Sequence, residues 1–438
     1  MDISDKPIED IFEKISKEDE DKVKIELGEI YEDIVHILKQ FCDLKEDQYS
    51  LIAIWIIGTY AHDEFETYPY LFFNAMRGSG KTRILKLIAS LSKNGDLVGS
   101  LSEAVLFRTA KGRTLCIDEF EKIGSKEKQS LRELLNAAYK KGQVIERMRK
   151  KGEDFVPERF EVYCPIAMAN IWGMEEVLED RCISLIIEKS ELPIIVKLIE
   201  NFSKNPEILK IRKRLYELSC SLCSVVMKKD WDIGWNNYIL GKYKTTLDTL
   251  TTLTTLTTLT TPHPDNKYFN KMDKTNIFGR HLELSFPLLI ISRLLNNFDK
   301  TLEVLEKIMK EKRLEDMTES KDVQVYDFVS RLNENTGHIL ISDLIIEFRH
   351  FLNLNEKEDV WVHNKWLGRA LKRLVLVKEK RRRTKGIEVI PDVIKAREKI
   401  KIFKEKEPKT IVNEELPTEV TKIDSRSVET TKNDNTEQ

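Results

Sequence analysis

The sequence predicts an α/β fold, a parallel sheet flanked by helices, followed by a helical region and a small basic C-terminal unit. Three observations carry that expectation. Residues 70–84 read YLFFNAMRGSGKTRI, an aromatic and aliphatic run, a glycine-rich turn and the start of a helical pattern. From residue 68 to about 189, short β-like runs alternate with longer helical ones, as in a sheet with crossover helices. Residues 362–392 read as an amphipathic helix followed by two strand-like runs that meet at an arginine-rich tip.

Taken in chain order, residues 1–48 read as an acidic helical lead-in and 49–62 as an apolar helix beside the sheet. The expected strands are Tyr70–Asn74, Asp96–Ser100, Thr114–Ile117, Pro165–Ala169 and Ile183–Glu188. Residues 49–190 form the core domain and 191–320 a helical region. Within the latter, TTLDTLTTLTTLTTLTT at 245–261, closed by Pro262 and Pro264, matches neither a helical nor a strand period. It reads as a repeat-expanded linker, or else as a solenoid or adhesive element. Residues 321–393 form a separate unit. The tail from 405 to 438, poor in aromatics and rich in Glu, Lys, Thr and Asn, is expected to be disordered.

The turn at 75–82, AMRGSGKT, has the chemistry of a phosphate loop. Gly78 and Gly80 let the backbone aim N–H groups at an anion, Lys81 brings a charge to the outer phosphates, and Thr82 offers a hydroxyl to Mg²⁺. The phosphate-binding candidates are Ala75, Arg77, Gly78, Ser79, Gly80, Lys81 and Thr82. Alanine stands at position 75, where the G-x-x-x-x-G-K-[ST] pattern has its first glycine. Alone, such a turn also occurs by chance before a helix. A second feature discriminates: RTLCIDE at 113–119 is an apolar strand ending in Asp118 and Glu119. Asp118 suits the Mg²⁺ shell with Thr82, and Glu119 suits polarising an attacking water. A solvated Asp–Glu pair is the plainer alternative. The sequence therefore predicts a P-loop NTPase fold with ATP and Mg²⁺ as ligands.

Two further positions complete the candidate catalytic set of Lys81, Glu119, Asn170 and Arg181. YCPIAMAN at 163–170 is a strand ending in Asn170, placed to orient a lytic water. LEDRCISLII at 178–187 puts Arg181 just before a strand. Arg181 is read either as a finger that reaches a neighbouring subunit's γ-phosphate or as the partner of Asp180 or Glu179.

The ordered set AMRGSGKT, LCIDE, IAMAN and EDR resembles the AAA+ class of P-loop ATPases. LSEAVLFR at 101–108, LCIDEFEKI at 115–123, LLNAAYKKG at 134–142 and VLEDRCISLII at 177–187 are similar to the ATPase domain of plasmid-, phage- and archaeon-encoded helicase or primase-associated proteins, and GRHLELSFPLLII at 279–291 is similar to their helical segment after the ATPase core. The resemblance covers roughly residues 50–300. It implies an ATPase, a homo-oligomeric ring and a setting such as replication of a mobile element.

Two segments point to nucleic acid. QVIERMRKKGEDFVPERFEV at 143–162 can form a hairpin of Val144–Met148 and Phe155–Val162, with Arg149, Lys150 and Lys151 near its tip. It resembles the hairpin that minichromosome maintenance and superfamily 3 helicases direct into a central channel; a solvated turn is the plainer reading. In the C-terminal unit, Ser342 with Asp343 can cap a helix to Leu352. The helix at 362–374 turns Lys365, Arg369, Lys372 and Arg373 outward, and the hairpin after it carries Arg381, Arg382, Arg383 and Lys385. Three helices and a basic hairpin resemble a winged helix, with DNA, duplex or single-stranded, as the implied partner. A winged helix used for protein contact is the alternative.

Net charge is −2, so any attraction to nucleic acid must be local. The N-terminus is acidic and amphipathic, unlike a signal peptide, and no apolar run is long enough to span a bilayer. The six cysteines are scattered, with one CxxC at Cys220 and Cys223. These features predict a cytoplasmic protein with reduced thiols. A DNA-associated motor, helicase-like or DNA-remodelling, is the function that gathers most of them. A nucleotide-switched DNA-binding regulator and a helicase loader use the same parts.

Overall fold

The computed structural model describes residues 17–98, 107–118, 129–151, 154–170, 176–227, 231–242, 263–335, 337–354, 362–384 and 386–401. The chain divides into two compact units, one ending at Arg313 and one beginning at Leu314.

The first unit is built on a five-stranded sheet of β1 (Tyr70–Ala75), β2 (Gly95–Val98), β3 (Thr114–Ile117), β6 (Ile166–Asn170) and β7 (Cys182–Ile187), in the spatial order β2-β3-β6-β1-β7. All four pairings are parallel. β1, β3 and β6 are apolar nearly throughout, because both of their faces are covered; this is the composition parallel sheets require. β4 (Val144–Lys151) and β5 (Asp154–Glu161) form a separate antiparallel hairpin.

Helices flank the sheet. α1 (Lys17–Phe41) buries Leu27, Ile30, Ile34, Ile37 and Leu38, a spacing of three and four that puts them on one face. α2 (Glu46–Gly58) is buried along almost its whole length. Both join one core with α3 (Lys81–Leu91) and with one side of β1 and β6. The lead-in helix is thus part of the sheet's own core. α4 (Gln129–Ala137) belongs to the core on the other side, with Tyr70, Phe72, Met168 and Leu178. After the short helices α5 (Glu176–Glu179) and α6 (Pro193–Val196), α7 (Pro206–Met227), α8 (Trp231–Lys242), α9 (Asn266–Met272), α10 (Arg280–Leu294) and α11 (Phe298–Glu319) supply the helical region. There Trp231 packs edge-on against Phe269, Phe286 and Phe298, and its indole N–H donates to buried Asp265 at 2.8 Å.

In the second unit, helices α12 (Lys321–Arg331), α13 (Ile341–Phe351), α14 (Asn364–Arg373) and α15 (Val393–Ile400) surround a core of Val325, Phe328, Leu344, Phe348, Leu367 and Leu371. A three-stranded antiparallel sheet, β8 (Ile339–Leu340), β10 (Gly386–Pro391) and β9 (Val377–Arg383), accompanies them. The expected Ser342–Asp343 cap does not form. The N-cap is Leu340, two positions before Ser342, and supplies no side-chain acceptor, while Ser342 donates instead to the Asp343 carboxylate at 3.2 Å. His363 takes the capping role on α14, its ring accepting from the Trp366 N–H.

The triplet repeat at 245–261 and the tail at 405–438 lie outside the described residues. Among the described residues, no helix is long and apolar enough to cross a membrane.

Candidate functional site

β1 ends at Ala75, extended and paired with Ile187. A strand residue has no need of glycine's freedom, which accounts for alanine at this position. The chain then turns. Ser79 returns its hydroxyl to the Met76 carbonyl at 2.8 Å, and Gly78 and Gly80 adopt φ of 80° and 90°. At both, space for a Cβ is open. The requirement for glycine is therefore the left-handed backbone itself. Gly80 caps α3 without a side chain, so the first-turn N–H groups and the positive helix end face the loop.

Thr82, on the first turn of α3, donates its hydroxyl to Asp118 Oδ2 at 2.7 Å. Asp118 directly follows β3, and its N–H is held by the Val98 carbonyl at 3.2 Å. Because β6 lies between β1 and β3, its last residue, Asn170, ends between the loop and the acid. Asn170 is buried and in register with Asn74. Lys81 and Thr82 at the start of α3, Asp118 after β3 and Asn170 at the end of β6 thus lie toward the carboxyl ends of parallel strands, where α/β sheets open a ligand crevice. Glu119 lies outside the described residues.

A cleft of about 340 Å³ opens beside the loop. Gly78–Ile84 form one wall. The others come from the α1–α2 connector at Phe41–Leu44 and from Ile187, Ser190, Ile195, Val196 and Glu200. Side chains fasten these walls together. Ser190 donates to Asp43 at 2.7 Å, and Gln48 donates to the Ile186 carbonyl at 3.0 Å. Arg83 donates to the carbonyls of Ile195 at 2.6 Å and Leu198 at 2.9 Å, and Glu200 takes both Arg83 and Lys86. Burial pushes the Cys42 thiol up to about 12, so this residue is an apolar wall rather than a nucleophile. Sequence reasoning missed this wall. Its residues carry no phosphate-loop signature, and the segments that meet are 138 positions apart at Gln48 and Ile186.

Arg181 lies at the opposite end of the sheet. Its carbonyl accepts from the Tyr70 N–H at the start of β1, and its guanidinium lies 5.0 Å from the Tyr139 ring centre. Five residue levels, about 16 Å of strand, separate Tyr70 and Cys182 from Ala75 and Ile187. Asp180, one of the two carboxylates that the plainer reading offers to Arg181, also pairs with Arg280 at 2.9 Å.

The basic candidates divide by neighbourhood. Arg149 is 3.8 Å from Glu158, and Lys150 is exposed. Lys365, Arg369 and Lys372 are exposed on α14, whereas Arg373 pairs with Asp322. Arg382 and Arg383 are exposed on β9, whereas Arg381 pairs with Glu388. The Lys151 side chain and Lys385 lie outside what is described.

No family model and no curated protein matches the sequence. A solved structure titled "SCCmec type IV Cch - active helicase" aligns over 81% of this chain and 68% of that chain, at 13% identity and a TM-score of 0.33. At that identity and score the likeness bears on neither fold nor function.

Proposed function

We propose that this chain is an ATP-hydrolysing, DNA-associated motor of AAA+-like P-loop type, helicase-like or DNA-remodelling. The observation that carries the reading is the 2.7 Å hydrogen bond between Thr82 and Asp118. It joins the end of the phosphate loop to the acidic strand end, which lie 36 positions apart in the chain.

The residues fit the implied ligands. Two left-handed glycines and an uncapped helix start suit an anion. The Thr82 hydroxyl and the Asp118 carboxylate are the hard oxygen donors that Mg²⁺ takes, and phosphate oxygens and water complete such a shell. When bound, the cation neutralises charge on the phosphates. In this reading the loop N–H groups and Lys81 hold the β- and γ-phosphates, Asn170 orients the lytic water, and Glu119 polarises it. Arg181, about 16 Å of strand from its own loop, acts on the nucleotide of the next copy in a ring. The second unit grips duplex DNA as a winged helix, with α14 in the major groove and the β9–β10 hairpin on phosphates.

The test is ATP hydrolysis by the pure protein, with and without single-stranded and duplex DNA, beside Lys81→Ala and Glu119→Gln. The reading predicts hydrolysis that DNA stimulates and that both substitutions abolish. Undiminished hydrolysis in both would place the site elsewhere. Slow hydrolysis indifferent to DNA, with tight binding to one sequence, would favour a nucleotide-switched regulator.

A further inference from the structure

Tyr139 follows α4 and is buried. Main-chain bonds stitch it to the sheet. The Tyr139 carbonyl accepts from the Tyr68 N–H at 2.9 Å, and the neighbouring Ala138 carbonyl accepts from the Cys164 N–H at 3.1 Å. Close to Tyr68, the Tyr70 N–H donates to the Arg181 carbonyl at 3.1 Å. Tyr139 and Arg181 therefore both hang on the entry to β1, and the backbone sets their spacing. Their side chains meet there, the Arg181 guanidinium lying 5.0 Å from the Tyr139 ring centre. A second guanidinium, from Arg280 at the start of α10, lies 5.5 Å from the same centre and pairs with Asp180. Buried Lys312, from α11, donates to the Glu179 carbonyl. Three cations thus gather around the turn at 179–181.

Like charges this close repel, and more strongly where water is excluded. Asp180 offsets part of the repulsion, and the negative face of the Tyr139 ring offsets more. Core packing alone asks for no ring here, since leucine also fills buried space. We propose that Tyr139 is a positioning residue for hydrolysis: its π-face holds the Arg181 guanidinium in the orientation that meets the γ-phosphate of the next copy. This rests on the role proposed above for Arg181. An arginine side chain carries about 2 kcal/mol of rotamer entropy. A guanidinium already seated on a ring has less to lose when it engages the transition state. The ring sits at the end of the sheet opposite its own phosphate loop, so it serves the rate of the chemical step and not the binding of its own nucleotide.

The test is steady-state ATP hydrolysis by the full chain. Tyr139→Phe keeps the π-face and is expected to match the wild type. Tyr139→Leu keeps an apolar filling and loses the face. Its kcat is expected to fall about 3- to 30-fold, the rate equivalent of one cation–π contact, with KM for ATP within twofold. In an Arg181→Ala background, Tyr139→Leu is expected to cost nothing further. Because leucine also changes core packing, position 139 is filled in turn with phenylalanine, difluorophenylalanine and pentafluorophenylalanine. These hold the ring's shape while fluorine withdraws the negative charge from its face, and kcat is expected to fall in that order. A level kcat along the fluorine series overturns the proposal. So does a loss in Tyr139→Leu that multiplies with that of Arg181→Ala. Wild-type hydrolysis by Arg181→Ala would instead sink the reading of Arg181 itself, and the positioning role with it.

Discussion

At the scale of single residues, burial decides which thiols can react. Burial drives the thiols of Cys42 and Cys182 up to about 12, pushes those of Cys116 and Cys164 up as well, and raises half-buried Cys223 to about 11. Cys220 alone of the six cysteines is exposed. Titration with a thiol reagent near pH 8 should therefore show one fast-reacting group, removed by Cys220→Ser, and six after denaturation. Several fast groups in the native protein would contradict the packing described for the sheet. The CxxC spacing in the sequence left this outcome open, because pairing and burial depend on what covers α7. Cys223 meets the Tyr60 carbonyl at 3.6 Å, a contact between segments 163 positions apart.

At the scale of elements, the strands were legible because sheet burial on two faces leaves a simple mark. TLCI and IAMAN are runs without a charged residue, and each becomes a buried strand at the expected place. The hairpin was legible as well, though β4 runs on to Lys151, where the sequence suggested a turn from Arg149. The loop was readable for a different reason: its glycines answer a local backbone need that neighbours do not alter. The far wall of the cleft was not readable. Arg83 looks like an ordinary polar position on α3, yet its guanidinium fastens the 193–200 segment through two carbonyls. Arg83→Ala should cost about 2 kcal/mol in denaturant unfolding, the scale of hydrogen bonds made by a charged donor. It should also raise the KM for ATP more than it lowers kcat, because the wall flanks the cleft without facing the reacting atoms. Unaltered KM would show that the segment does not shape the nucleotide site.

At the scale of the whole molecule, two responses follow from charge and burial. Burial, aided by the cations of Lys312, Arg313 and Arg280 and opposed by Asp180, lowers His281 to about 4. Burial also lowers His62. The unfolded chain takes up these protons near pH 6.5, while the native His281 resists until about 4. Stability is therefore full above pH 6.5 and falls as the pH drops toward 4, for His281 by on the order of 2 kcal/mol at pH 4.5. His281→Asn should flatten urea midpoints measured between pH 7 and 4.5; an equally steep fall would put the acid sensitivity elsewhere. The second response is to salt. Alanine at Lys365, Arg369 and Lys372 together should make the slope for duplex DNA shallower by about 0.9 per residue. Arg373→Ala should change it less, since Asp322 already holds that guanidinium. If Thr82 and Asp118 act as one cation-holding pair, a double-mutant cycle on Mg²⁺-dependent ATP hydrolysis will show their coupling. Thr82→Ala and Asp118→Asn should each lower hydrolysis, and the double variant should be no worse than the more damaging single change. Losses that multiply as if independent, or hydrolysis that survives both changes, would contradict that pairing.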